Sequence, residues 1–184
     1  MVLETRQYTL TEFFEFIKKP HNAARHFEWI NGEVVEVVAS GYASRVAARF
    51  VRYIDTFADE HDLGAVTTAD GGYMISGKPY IPDVAFMSNK RQPIPEYFEG
   101  YNILAPDLVV EVLSPGNTET EITTKVVNYL NAGVMVWLAD PEKQTVIVYH
   151  SGQDPVMLTV DDMLEGGAAL PGFGVMVQNL FPAR

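Results

Sequence analysis

The sequence predicts an α/β fold: a mixed β-sheet flanked by helices, preceded by an N-terminal helix and hairpin. Three observations predict it. The run Leu108-Val109-Val110-Glu111-Val112-Leu113 is apolar on both alternating faces apart from one carboxylate, as a buried central strand would be. It is followed by a helical period and then a second apolar run, Val134 to Ala139, an order that suits strand, helix and strand of one sheet. Ahead of these, Asn31-Gly32 separates two short runs rich in Val, Ile and aromatics, a two-residue hairpin signal.

In chain order, Thr9 and Glu12 have capping-box spacing, and Leu10, Phe13, Phe14 and Ile17 follow at helical intervals until Pro20. Phe27 to Ile30 and Glu33 to Val38 form the hairpin. From about Tyr42 to His61, Val46, Phe50, Ile54 and Phe57 make the apolar stripe of a helix. Val66 to Ile75 reads as a strand pair or bent strand around Asp70-Gly71-Gly72. Tyr80 to Met87 reads as one strand with Pro82 near its start, where a missing N–H is tolerated. Arg91 to Tyr101 is a loop rich in Pro, Glu and aromatics, in which Tyr97, Phe98 and Tyr101 read as anchors rather than a flap. Thr118 caps a helix running to about Ala132, with Ile122, Val126, Tyr129 and Leu130 inward and Gly133 as its stop. Asp140 to Gln144 turns the next strand into Thr145 to Tyr149, and Gly152 to Phe181 closes the domain with short strands and loops.

The 184 residues, 47% of them hydrophobic, fit one domain, 1–184, with a substantial core. No apolar run is long enough to span a membrane, and the first residues lack the pattern of a signal peptide. Cysteine is absent, which excludes disulfides and thiolate chemistry and fits a cytoplasmic protein. The net charge of −11 opposes generic nucleic-acid binding, although a local cationic strip or a bound metal can override it. His21, His26, His61 and His150 are dispersed without ligand spacing, which argues against zinc.

The chemistry centres on Glu111. A carboxylate in a buried strand must be satisfied by a metal, a cation or hydrogen bonds. Asp83 begins the preceding strand, and Lys125 lies on the following helix with Glu121 one turn before it. If the two strands pair, Asp83 and Glu111 converge on one divalent cation, Mg²⁺ or Mn²⁺, with the carbonyl of Val112 as a further ligand. Lys125 would then orient an attacking water or stabilise developing charge. Plainer readings stand beside these. Asp83 could cap a turn, Glu111 could pair with an Arg or Lys, and Lys125 could be a solvated residue paired to Glu121. Arg45, Arg49 and Arg52, at i, i+4 and i+7, share one helix side and suit either phosphates or a solvated face salted by Asp55 and Asp59.

Pro82-Asp83 followed by Glu111-Val112-Leu113 resembles the P-D…(D/E)-x-K pattern of the restriction-endonuclease-like nucleases. Pro82-Asp83-Val84, Ala105 to Pro115, Glu121-x-x-x-Lys125, Tyr129, Ala132-Gly133-Val134 and Trp137 to Pro141 resemble, more closely, the Uma-two family within them. Glu28 to Glu33 and Leu170 to Phe173 extend the likeness over most of the chain. The resemblance implies a restriction-endonuclease-like core and metal-dependent hydrolysis of DNA by a homodimer. It implies Asp83 and Glu111 as metal ligands, Lys125 in place of the strand lysine whose position falls on Leu113, Glu28 as the early acidic residue and Glu121 as the helix acid. The sequence departs from the family in lacking a His after the first hairpin. A catalytically inactive nuclease-fold dimer, serving as an interaction or regulatory module, is the alternative expectation.

Overall fold

The computed structural model describes residues 6–22, 25–36, 40–93 and 100–183. Val37 and Val38 of the expected hairpin, and Tyr97 and Phe98 of the expected loop, lie outside those residues.

The first layer is local in origin. Helix α1 (Leu10–Ile17) starts at the predicted capping box, in which Thr9 and Glu12 satisfy each other's backbone N–H groups. Strands β1 (Phe27–Ile30) and β2 (Glu33–Glu36) pair antiparallel. Their connection has positive φ at both Asn31 (51°) and Gly32 (90°), the conformation that Asn-Gly adopts at least cost. Phe16 of α1 meets Phe27 edge-to-face at 5.0 Å, which ties the helix to the hairpin.

Helix α2 (Gly41–Glu60) opens on the Ser40 side chain, which accepts from the Ala43 N–H. Next come β3 (Gly64–Thr68), β4 (Gly72–Ile75), β5 (Lys78–Tyr80), β6 (Val84–Ser88), β7 (Tyr101–Asn102) and β8 (Leu108–Val112). They are followed by α3 (Glu119–Asn131), β9 (Met135–Asp140), β10 (Thr145–Tyr149) and β11 (Val156–Leu158). The chain ends in β12 (Met163–Glu165), β13 (Gly174–Met176) and a 3₁₀ turn, Val177–Leu180. The main sheet has six strands in the order β11-β10-β9-β8-β6-β3, so β8 is central, as its sequence predicts. Among the described residues only β8 and β9 run parallel within it, and the helix joining them is α3.

Two strand expectations need correction. The segment around Asp70-Gly71-Gly72 does not fold back on itself. Strand β3 pairs with β6 in the main sheet, whereas β4 pairs antiparallel with β5 and parallel with β7 in a separate three-stranded sheet. A turn at Asp70, where the Gly71 N–H bonds the Thr68 carbonyl, carries the chain from one sheet to the other. Nor is Tyr80 to Met87 one strand. It breaks over Ile81 to Asp83, because Pro82 has no N–H to continue a ladder, and β6 starts afresh at Val84.

The two faces of the main sheet are covered differently. Val46, Phe50 and Ile54 of α2 pack with Phe86, Leu108, Val110 and Trp137. Val126 and Tyr129 of α3, with Tyr73 and Tyr80, pack against Val109 and Val136 on the other side. Among the described residues no helix is long and apolar enough to cross a membrane.

Candidate active site

Strands β6 and β8 are antiparallel neighbours, with Val84 opposite Val110 and Ala85 opposite Val109. Carrying that register one residue beyond β6 sets Asp83 opposite Glu111. The break at Pro82 therefore matters: it frees the Asp83 side chain at a strand end instead of committing it to a ladder. Asp83 Oδ2 accepts the Val112 N–H at 2.8 Å. It thus serves the last residue of the neighbouring strand β8 and does not cap a turn of its own segment. No hydrogen bond from the described residues reaches its other oxygen.

Glu111 is 5% exposed, and both of its oxygens are engaged. Oε2 accepts from Lys125 Nζ at 2.9 Å, and Oε1 accepts from the Tyr129 hydroxyl at 2.6 Å. Lys125 Nζ also lies 2.7 Å from Glu28 Oε1. Two scaffolds deliver these groups to Glu111. Helix α3 carries Lys125 and Tyr129 one turn apart on its buried face, and the hairpin brings Glu28 from β1. Lys125 is therefore neither solvated nor paired to Glu121. Its stem and ammonium are buried, with carboxylates on two sides.

Electrostatics follow from this placement. Burial alone would push the Lys125 ammonium down, but Glu111 and Glu28 outweigh it and hold the group firmly protonated. Burial raises Glu28 above the usual carboxylate range, against the pull of Lys125. Burial and then the charge of Glu111 push Asp83 up to about 7. The Tyr129 hydroxyl is held well above its ordinary value by burial and by the carboxylate it serves. Next to it in α3, Asn128 Nδ2 donates to the Tyr80 hydroxyl at 2.8 Å, and the Tyr80 ring sits 5.2 Å from that of Tyr129.

These groups open onto a cavity of about 350 Å³, with Glu28, Asp83, Glu111 and Lys125 on one side and Ala47 and Ala48 of α2 on the other. Val112 lines it as well. Glu121 does not. Its Oε2 accepts the Thr118 N–H at 2.9 Å, completing the capping box that starts α3. Nothing in the sequence joins Tyr129 to Glu111. The available signal was the helical period, which puts Tyr129 four residues after Lys125 on the inward face.

A divalent cation fits the donors. Asp83, Glu111 and the Val112 carbonyl are all hard oxygen ligands, and Asp83 keeps one oxygen outside any described hydrogen bond. Glu28, Asp83, Glu111 and Lys125 sum to −2 when all four are ionised, and His26 also lines the cavity. Among the described residues no three of His, Asp and Glu group closely enough to hold a metal unaided. Magnesium needs no such cage, because it keeps several waters and takes one or two carboxylates.

The sequence profile of the Uma2 family, described as "Putative restriction endonuclease", matches residues 10–178. No curated protein matches the chain. Among solved structures, a putative nuclease belonging to DUF820 from Anabaena variabilis superposes with a TM-score of 0.81 at 23% identity, over 94% of this chain and 97% of that one. At that identity the likeness establishes the fold.

Proposed function

The chain belongs to the Uma2 family of putative restriction endonucleases, and from that premise we propose a metal-dependent endonuclease that hydrolyses DNA phosphodiester bonds. The observation that carries this reading is the cavity lined by Glu28, Asp83 and Glu111 together with a buried ammonium, Lys125, that pairs with Glu28 and Glu111. Asp83, Glu111 and the Val112 carbonyl would hold Mg²⁺, with Mn²⁺ as a substitute. The ion would neutralise charge building on a phosphoryl oxygen and acidify the attacking water.

The chain's own residues prepare that chemistry. Tyr129 and Lys125 fix the Glu111 carboxylate from both oxygens, so its orientation is set before substrate arrives. Lys125 spends one N–H on Glu111 and one on Glu28. An ammonium has three, and the remaining one is available to a water or a phosphoryl oxygen at the cavity. Glu28 aims the lysine and balances its charge. On this reading the protein works in the cytoplasm as a homodimer, whose two sites suit cutting both strands.

The test is nicking and linearisation of supercoiled plasmid at low salt with Mg²⁺ and, separately, Mn²⁺, for wild type, Asp83→Ala and Lys125→Ala. The expected outcome is cleavage by wild type that both variants lose. Cleavage surviving in Asp83→Ala would remove the metal assignment. A folded wild type that neither cuts nor binds Mn²⁺ would overturn the enzyme reading in favour of a non-catalytic nuclease-fold module.

A further inference from the structure

Helix α2 supplies the wall of the cavity that faces the acidic residues, through Ala43, Ser44, Ala47, Ala48 and Val51. At 100° per residue, Arg45, Arg49 and Arg52 fall within an arc of about 60°, immediately beside Ala48 on the solvent side. Arg45 and Arg52 are exposed and Arg49 is half-buried. The row spans roughly 10 Å of helix, about three base steps of duplex axis.

Two features set this row apart. The first is the lack of partners. The other arginines among the described residues, Arg6, Arg25 and Arg91, all stand in ion pairs, whereas lysines at the surface such as Lys18, Lys19 and Lys90 do not. None of the three arginines has an ion pair or hydrogen bond among the described residues, and Asp55 and Asp59, the expected counter-charges, do not reach them. Arg52 lies 5.6 Å over the Tyr53 ring, a contact that leaves its donors free. In a chain of net charge −11 acidic partners are plentiful, yet these three neighbouring guanidinium groups, unlike the other described arginines, take none.

The second feature is charge order. α2 has no acidic residue in its first turn and no basic residue in its last. Its arginines occupy the N-terminal and middle turns, whereas Asp59 and Glu60 end it. The helix dipole favours the opposite arrangement at both ends. Helix stability therefore does not account for the row.

We propose that Arg45, Arg49 and Arg52 form the phosphate-binding rail of this site, holding one backbone of duplex DNA along α2 while the scissile group reaches the acidic cavity. The assignment rests on the nuclease reading above and adds where the substrate lies. Guanidinium forks match phosphate oxygens, and the small side chains of Ala47 and Ala48 leave the backbone room to approach between the rail and Asp83. The row also answers the objection from net charge. Local, unpaired cations beside the site serve a polyanion better than a diffuse basic surface serves it at a distance.

The test uses the full chain. Binding of a short fluorescent DNA duplex is titrated in EDTA across salt concentrations, and plasmid cleavage is followed in Mg²⁺. Three proteins are compared: wild type, the triple variant Arg45→Gln/Arg49→Gln/Arg52→Gln, and Lys18→Gln/Lys19→Gln/Lys90→Gln as a control of equal charge change. The Arg variant should lower the slope of log K against log salt by about 2 to 3, close to 0.9 per lost contact. It should also raise KM while leaving kcat within a few fold. The Lys control should keep the wild-type slope. An equal loss in the control would overturn the proposal, since net charge alone would then be responsible. An unchanged slope in an Arg variant that still cleaves would overturn it and leave the nuclease reading standing. Arg-dependent binding of an RNA duplex in preference to DNA would also overturn it. A folded wild type that neither binds nor cuts would overturn both.

Discussion

The two faces of β8 lie a few ångströms apart and are built on different terms. Toward α2, Leu108, Val110 and Val112 meet Phe50, Trp137 and Ala139, and no charged group is buried among them. There the hydrophobic effect decides the packing, to the point that Trp137 Nε1 is the only buried side-chain polar atom among the described residues left without a partner. Toward α3, Val109 is followed by Glu111, and around it Lys125, Glu28 and Tyr129 satisfy one another. A buried ion pair rarely stabilises more than well-packed apolar side chains of equal volume. The α2 face shows how easily this sheet could have been closed that way. The difference is that the α3 face buries charged groups that packing alone does not require, whereas the α2 face buries none.

Lys125→Met should give the largest effect. It leaves Glu28 and Glu111 buried without their cation, a loss of about 3–5 kcal/mol near pH 8. Phe50→Ala on the opposite face should cost a similar amount, about 3–5 kcal/mol, through its cavity. The two should part with pH. Burial already raises Glu28, and Lys125 is the main opposing influence, so without the lysine Glu28 takes up a proton more readily in the folded state. The cost of Lys125→Met should therefore shrink toward pH 5, and that of Phe50→Ala should not. Urea denaturation of both variants at the two pH values decides this. Equal costs at both would mean that the α3 face is merely packed.

Asp83→Asn separates stability from function. The folded carboxyl sits at about 7 against an ordinary 3.8, so the folded state binds its proton more tightly than the unfolded one. The contribution of Asp83 to stability is thus fully present below about pH 4 and lost as pH rises through 7, by up to about 4 kcal/mol. Asparagine can still accept the Val112 N–H and carries no charge. The variant should be more stable than wild type at pH 8, equal to it near pH 4, and inactive. Because a cation requires the ionised form, Mn²⁺ should bind wild type more weakly by up to tenfold for each pH unit below 7. Calorimetric melting with a Mn²⁺ titration at several pH values reads both.

Tyr129→Phe addresses the part of this face that was least legible beforehand. Removing a hydrogen bond to a buried carboxylate should cost about 2 kcal/mol and lower Mn²⁺ affinity roughly tenfold, because Glu111 loses one of its two restraints. Unchanged metal affinity would make the contact purely structural. The central strand could be read from sequence because both faces of β8 are apolar. The inward face of α3 could be read because Ile122, Val126 and Tyr129 recur at helical spacing. Lys125 lies on that same face, three residues after Ile122, but its spacing to Glu121 offered a plainer surface pair. Which side chains meet across the sheet has no local signal. Periodicity turned Tyr129 and Glu111 inward without joining them. Nor could sequence show that β4 leaves the main sheet to pair with β7, a contact set by tertiary packing between distant segments. Pro82 was visible, but whether it starts a strand or ends one depends on the ladder beside it.

The smallest expected effect tests where the α3 face ends. Glu121 is the family's helix acid by resemblance, yet its carboxylate is occupied at the helix start, with Oε2 on the Thr118 N–H. Glutamine serves a capping box nearly as well as glutamate. If capping is all that Glu121 does, Glu121→Gln should change stability by less than about 0.5 kcal/mol and leave cleavage within twofold, while Thr118→Ala should cost about 1 kcal/mol. If Glu121 also bears on the metal or the substrate, loss of its charge should depress cleavage tenfold or more with the fold intact. That second outcome would require the side chain to leave its cap during turnover. The boundary between stability and chemistry would then run through the first turn of α3 and not between the two faces of the sheet.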